Sequence, residues 1–377
     1  MDVRILNGTR PRGCVALPPS KSEAIRAALL LALSGADPRR AVDGFEPPIC
    51  RDIENALRAA EDLREGLVGE SAALERFLIP IQAALFGRVS LRAQARLLAR
   101  GLSEAEECFG VSLSPAADGR IETVLRLEKS VYELDCSRSS QFLSGLLIAL
   151  PLLDRSCEII VKNGLVSRPY VDMTLDFVRL FGGIIEETGR GFITRPSVYT
   201  EPERVPVTGD RSYAAAFEAM NALCGDITLT GSTPFTRQPD KRFLMISALD
   251  DCDITDCPDL LPVLAATACG KAGDTVIRGT ARLSTKESDR ESGTVKLIRD
   301  LGGSANVGAD CVMIHGTGSL AGGACDTYGD HRMAYAAAVA SLIARSPVTV
   351  RGAECTEKSG PAFWRDLASL GVVCFEV

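Results

Sequence analysis

The chain has 377 residues, 46% of them hydrophobic and 24% charged, which is enough for two or three domains that bury their own cores without staples. Its formal net charge of -7 argues against nonspecific binding to nucleic acid or acidic membranes, so cations serving an anionic ligand must be gathered locally. Only His315 and His331 are present, which excludes a histidine-rich metal site, and the 13 cysteines lie scattered in apolar segments without zinc-type spacing, as expected of reduced thiols in a cytoplasmic protein. The opening Met1-Asp2-Val3-Arg4 lacks the apolar stretch of a signal peptide, and no run reaches membrane-spanning length.

In chain order, residues 3–8 and 12–17 read as short strands, the second closed by Pro18-Pro19. Ser20 and Glu23 have capping-box spacing, and Ile25, Ala28, Leu29 and Ala32 continue at helical spacing until Gly35. Lys21 and Ser22 therefore fall in the first helical turn. Residues 51–129 are less regular, with helical patterns at 53–63 and 77–86 and a strand pattern at 87–92. An internal repeat is clearer: residues 173–183 form a helical pattern ending in Phe181-Gly182-Gly183 and run into two short strands. Residues 293–303 do the same through Leu301-Gly302-Gly303, and a shorter third copy closes the chain through Leu370-Gly371. One supersecondary unit used several times implies stacking around shared cores. The prolines at 202 and 206 mark the boundary between two halves.

A second regularity is a polar turn carrying a cation or hydroxyl just before a helix. It occurs at Ser20-Lys21-Ser22, Ser139-Ser140-Gln141, Asp210-Arg211-Ser212, Lys286-Glu287-Ser288-Asp289-Arg290 and Asp330-His331-Arg332. Helix N-termini hold unpaired N–H groups and positive dipole ends, so several aimed at one point would bind an anion. Taken singly each turn has a plainer account: Asp259 after Pro258 is a turn or cap, Arg96 a solvated helix face, Asp330-His331-Arg332 a cap plus an exposed pair, Lys358 a surface lysine.

Taken together, the turns resemble the 5-enolpyruvylshikimate-3-phosphate synthase (3-phosphoshikimate 1-carboxyvinyltransferase) family. The matching residues are Leu17-Pro18-Pro19-Ser20-Lys21-Ser22 with Arg26, Ser139-Ser140-Gln141-Phe142, Ser167-Arg168-Pro169-Tyr170, Gly209-Asp210, Pro258-Asp259, Lys286 to Arg290, Gly329-Asp330-His331-Arg332, and Lys358-Ser359 with Pro361. They follow the family's order over almost the whole chain. The resemblance implies an α/β fold of two similar domains, each of three βαβαββ units in an inside-out α/β barrel, with substrates in the interdomain cleft. Residues 13–207 would form the N-terminal domain, on the shikimate 3-phosphate side, shortened near 53–69. Residues 1–12 and 208–377 would form the C-terminal domain, on the phosphoenolpyruvate side.

The family reaction moves the enolpyruvyl group of phosphoenolpyruvate to the 5-hydroxyl of shikimate 3-phosphate and releases phosphate. Both substrates are anions. Addition at C2 of the enol needs a proton at C3 while the hydroxyl loses its own, and the tetrahedral ketal then eliminates phosphate. Cations and positioned acids and bases suffice, so no cofactor or metal is expected. By resemblance Asp259 accepts the hydroxyl proton, Glu287 handles the methylene proton and Lys21 serves the bridging oxygen. Lys21, Ser22, Arg26, Ser139, Ser140, Gln141, Ser167, Tyr170, Asp259 and Lys286 would hold shikimate 3-phosphate. Lys21, Ala72, Arg96, Gln141, Arg290, His331, Arg332 and Lys358 would meet phosphoenolpyruvate, guanidinium groups matching carboxylate and phosphate by paired hydrogen bonds. A monomer is implied.

Some residues depart from the family pattern. Ala72 and Ala73 stand at the glycine and hydroxyl positions of the turn before Arg76, a phosphoenolpyruvate pocket in the family. A methyl group at a tight backbone approach takes room from the ligand, so inhibition by glyphosate, which occupies that pocket in the family, should be weak; submicromolar inhibition in a steady-state assay would contradict this. Ile25 replaces the usual asparagine and Gly360 the usual phenylalanine, and the family's Arg-Pro falls on Gln94-Ala95, leaving Arg96 as the stand-in. Two other readings stand beside this one: the sister enzyme of the same chemistry that transfers enolpyruvyl to UDP-N-acetylglucosamine, whose nucleotide-sugar contacts are not apparent in the sequence, and a noncatalytic or altered-specificity relative, which the altered loop at Ala72 supports.

Overall fold

The computed structural model describes all residues but Ser232, Pro234 and Phe235. It divides into two compact units: Met1–Ser20, Phe45–Cys50 and Thr208–Val377 form the first, Lys21–Gly44 and Arg51–Val207 the second. Residues 13–20 belong to the first unit because the strand Arg12–Ala16 pairs in parallel with Asp226–Thr230 there.

In the first unit one sheet runs in the order Asp251–Asp253, Ala272–Arg278, Cys311–Thr317, Ser304–Val307, with one parallel pairing followed by two antiparallel ones. A second sheet repeats this pattern with Gly323–Asp326, Val348–Arg351, Asp2–Ile5 and Cys374–Glu376. Its third strand comes from the opposite end of the chain. Parallel neighbours need a crossover, and the helices Leu261–Cys269 and His331–Ser341 supply one to each sheet. Both are buried nearly all round, as is most of Arg211–Leu223, so the three form the centre of the core.

The second unit holds the same four-stranded pattern once, as Val131–Cys136, Cys157–Leu165, Gly191–Arg195 and Ile184–Thr188. Its other sheet has the parallel pair Gly66–Gly69 and Arg88–Ala93 and one antiparallel neighbour, Arg120–Val124, with no fourth strand among the described residues. The helices Ala72–Phe86 and Gln141–Ala149 meet at Gly145, where a Cβ would sit 2.4 Å from the backbone oxygen of Arg76. Only glycine allows that approach. The expected repeat is thus present as three complete copies, one three-stranded copy and a lone parallel pair. Its glycine stops, Gly182, Gly302 and Gly371, all have φ between 81° and 89°, the left-handed conformation that ends a helix.

Candidate active site

In the first unit three helix starts carry the charged groups. Asp259 sits in the turn Pro258–Leu260 leading into Leu261–Cys269, Arg290 is the first residue of the helix Arg290–Asp300, and Asp330 caps His331–Ser341 by accepting from the backbone N–H of Arg332 at 3.0 Å. Asp259 bridges two of them: Oδ1 accepts from Nη1 of Arg290 and Oδ2 from Nη2 of Arg332, each at 2.7 Å. Arg290 Nε donates to Asp330 Oδ2 at 3.0 Å. Arg290 is 1% exposed and Asp330 fully buried, so each would be costly alone. Burial works to lower the Arg290 pKa, but the Asp330 and Asp259 carboxylates outweigh it and the net direction is upward. For Asp330 burial is the largest influence and works upward, but the Arg290 guanidinium with His331 and Arg332 together outweigh it, holding the carboxyl below its ordinary range.

Glu287 occupies the turn ahead of the Arg290–Asp300 helix. Its Oε1 lies 3.4 Å from Nζ of Lys358 and its Oε2 3.1 Å from Nδ1 of His331. Asp259, Glu287, Arg290, His331, Arg332 and Lys358 are therefore linked through direct contacts, with Asp330 as the hub between Arg290 and His331, whose Nδ1 is 3.8 Å from Asp330 Oδ1. The sequence turn at 330–332 does not end in an exposed pair; both members are buried. Ligand atoms of Glu287, Asp330 and His331 lie within 4.8 Å of one another, close enough to share a cation, but Asp330 is already committed to Arg290, Ser288 and its own helix. Asp240, which no motif flagged, is also buried close by. It accepts from the Ser212 hydroxyl, its Oδ1 has no hydrogen-bond partner, and burial followed by the nearby Asp259 carboxylate pushes its pKa up to about 7.

In the second unit Lys21 opens the helix Lys21–Leu33, and its Nζ is 3.1 Å from Oδ2 of the buried Asp52. Arg26 faces inward. It donates to Thr174 Oγ1 at 2.7 Å, to Ser22 O at 2.7 Å and to Tyr170 O at 3.1 Å, and stands over the Phe77 ring at 4.9 Å. Burial lowers its pKa to about 10. Arg26 thus braces the start of the helix Arg168–Leu180 against Lys21–Leu33. Ser167, just before that helix, holds φ +55°, a conformation a serine rarely adopts. Val166 N–H donates to Cys136 O at 3.2 Å, which sets the Ser167–Tyr170 turn beside the Ser139-Ser140-Gln141 turn at the C-terminal ends of two parallel strands. Within the latter, Ser139 Oγ accepts from Gln141 N–H at 3.3 Å and Ser140 is buried.

Two expected pocket residues are less central. Arg96 is exposed on the four-residue helix Ala95–Leu98. Ala72 starts the helix Ala72–Phe86, and the neighbouring Arg76 is turned inward, onto the Glu75 carboxylate at 3.1 Å and Gly101 O at 3.2 Å. Burial pushes Glu75 up to about 7 against the pull of Arg76. An acid whose pKa rises on folding binds its proton more tightly when native, so stability falls as pH climbs from about 4.5 through about 7 and is level beyond. Glu75→Gln should therefore unfold at higher temperature than the native chain above pH 7, by roughly 3 kcal/mol at most, with the gap closing toward pH 4.5. Thermal melts across that range check it; a constant or inverted gap contradicts the burial account.

Residues 116–248 and 245–367 match the family model described as EPSP synthase (3-phosphoshikimate 1-carboxyvinyltransferase). The 3-phosphoshikimate 1-carboxyvinyltransferase of Clostridium kluyveri is 31% identical over 418 aligned positions, covering 97% of this chain and 96% of that protein. The protein of the same name from Methanocorpusculum labreanum is 30% identical, with 97% and 98% covered. Because 418 positions exceed the 377 residues here by 41, this chain lacks at least 41 residues that the Clostridium protein has. Among solved structures, EPSP synthase from Acinetobacter baumannii is similar with a TM-score of 0.77 at 19% identity, covering 99% of both chains. The enolpyruvyl transferase NikO from Streptomyces tendae follows this fold too, with a TM-score of 0.70 at 15% identity, covering 100% of this chain and 98% of that one.

Proposed function

Because the chain belongs to the EPSP synthase family, the 3-phosphoshikimate 1-carboxyvinyltransferases, we infer that it transfers the enolpyruvyl group of phosphoenolpyruvate to the 5-hydroxyl of shikimate 3-phosphate, releasing phosphate in aromatic amino acid biosynthesis. The observation that carries the assignment of roles is the charged cluster of the first unit, where Glu287 stands between Lys358 and His331 while Asp259 spans Arg290 and Arg332.

In this reading Asp259 takes the 5-hydroxyl proton. The Arg290 and Arg332 guanidinium groups hold its carboxylate oriented for that step. Glu287 delivers the proton to the methylene carbon and removes it again as the ketal collapses; its two neighbours keep the carboxyl oriented for both steps. Arg290, Arg332, His331 and Lys358 supply the positive field for phosphoenolpyruvate and for the charge that develops as phosphate leaves. Lys21 serves the bridging oxygen from the first turn of its helix. Ser139, Ser140, Gln141 and Ser167, at adjoining strand ends, hold shikimate 3-phosphate with Ser22, Tyr170 and Lys286. Arg26 contributes by fixing Tyr170 and Ser22 through three of its five N–H donors, to Thr174, Ser22 and Tyr170. The enzyme is read as a cytoplasmic monomer on the family resemblance; no helix among the described residues is long and apolar enough to cross a membrane.

The test is a direct assay of purified protein with both substrates, following phosphate release and the enol ether product. Product with shikimate 3-phosphate is the expected outcome. Binding of both ligands without turnover would favour a noncatalytic relative, and product from UDP-N-acetylglucosamine the sister activity.

A further inference from the structure

Tyr335 stands one helical turn beyond His331 in the helix His331–Ser341 and is 2% exposed. Its ring meets His331 edge-on at 5.6 Å and Tyr213 edge-on at 5.8 Å, and lies tilted against Phe363 at 4.4 Å. The hydroxyl at its tip is buried with no hydrogen-bond partner. A phenol that gives up water without replacement is costly, and phenylalanine would fill the same ring space without that cost.

What the hydroxyl touches is the backbone of Gly360. A Cβ built on Gly360 would lie 2.2 Å from Tyr335 Oη and 2.7 Å from Cε2 of Tyr213. Gly360 does not have the positive φ that would call for glycine, so space alone demands it. Its N–H donates to Thr356 O at 2.7 Å and its carbonyl accepts from Phe363 N–H at 3.1 Å, which ties it into the turn that carries Lys358. Lys358 in turn reaches Glu287 at 3.4 Å, and His331 reaches the other oxygen of the same carboxylate at 3.1 Å. Helix and turn thus converge on Glu287 from two sides, and Tyr335 against Gly360 is where they bear on each other.

We propose that Tyr335 and Gly360 form a spacer that sets the reach of Lys358, making both positioning residues for the Glu287–Lys358 pair. The proposal rests on the reading of Lys358 as part of the phosphoenolpyruvate clamp. The tyrosine hydroxyl acts as a stop of fixed length, and the missing side chain at position 360 lets the turn close onto it. Any side chain there must move the turn outward by roughly 1 Å to reach ordinary contact, a displacement that in positioned active sites costs about a hundredfold in rate.

A double-mutant cycle tests it, with kcat and KM measured for each substrate in Gly360→Ala, Lys358→Ala and the double variant. Gly360→Ala should lower kcat/KM for phosphoenolpyruvate by about 10- to 100-fold while changing KM for shikimate 3-phosphate little. In the Lys358→Ala background the same change should cost less than about threefold, because the group it displaces is gone. Multiplicative losses, or a loss spread equally over both substrates, would overturn the spacer. Unchanged kcat/KM for phosphoenolpyruvate in Lys358→Ala alone would instead remove the assignment of Lys358, and the spacer with it. If Gly360→Ala does not fold, Tyr335→Phe decides, because a Cβ at 360 would still meet Tyr213 at 2.7 Å once the hydroxyl is gone: loss of the stop should lower kcat/KM for phosphoenolpyruvate by about threefold or more in the native background and by less in Lys358→Ala, and an unchanged value counts against the proposal.

Discussion

Replacing Glu287 with glutamine lowers turnover by about 10²- to 10⁴-fold, the range for loss of one positioned proton-transfer group, while the melting temperature stays near that of the native chain. Glutamine keeps the shape and the hydrogen-bonding reach of the side chain but cannot carry a proton to carbon and back. The fold should tolerate it because Glu287 lies in a turn and is partly exposed, and glutamine can still accept from Lys358 and His331. Rapid-quench or steady-state phosphate release would show the loss. The binding of phosphoenolpyruvate should change far less than turnover, since the surrounding cations remain. A Glu287→Gln enzyme working within tenfold of the native rate would end the assignment of the methylene proton to this residue.

Arg290→Ala acts mainly on stability. It leaves Asp330, which is fully buried, without its guanidinium, and takes the Arg290 bond from Asp259. Stranding one member of a buried ion pair costs about 3–5 kcal/mol, which for a unit of this size lowers the melting temperature on the order of 10 °C. The loss has a pH signature. In the native chain the Asp330 pKa is depressed on folding, so the stability it contributes is present above its unfolded value near 3.8 and is lost as pH falls through the lower folded value. Without Arg290, burial, the largest influence on this carboxyl, loses its main counterweight and pushes it upward, so ionising it opposes folding. The gap between Arg290→Ala and the native chain should therefore be smallest near pH 4 and widen toward neutrality. Arg290→Lys should fall between the two, because an ammonium keeps the charge but not the planar fork that serves Asp259 and Asp330 together. Thermal melts at pH 4 and pH 7 read both effects; equal gaps at the two values would mean that Asp330 is not the group left stranded.

How much of this was legible beforehand depends on the range over which each feature is encoded. The helices at 173–183 and 293–303 were readable because apolar spacing and a glycine stop lie within a few residues of each other, and the glycines do adopt the left-handed turn. The motif turns were readable as a set, and those of the first unit meet in one cluster. The strands at Gly66–Gly69 and Arg120–Val124 carried little signal, being short and defined by pairing rather than by alternation. The crossing near the N-terminus was expected after residue 12, but Arg12–Ala16 takes its place from a partner strand more than two hundred residues away.

Local order alone therefore determined the helices, their stops, the repeat and the polar turns that begin the helices, since each depends on backbone preferences over one or two turns. Which charges are spent on structure and which remain for chemistry was decided only by the tertiary fold. Arg26, a substrate cation by resemblance, also ties two helices together through the Tyr170 and Ser22 carbonyl oxygens, a contact no local pattern announces. Asp330 reads as a helix cap and is one, but it is also the buried partner of Arg290, and Asp240, which no motif marks, lies buried near Asp259. A charged side chain's role is set by what lies within a few ångströms of it, where desolvation and pairing are large and opposed, and those neighbours come from segments that the chain order keeps far apart.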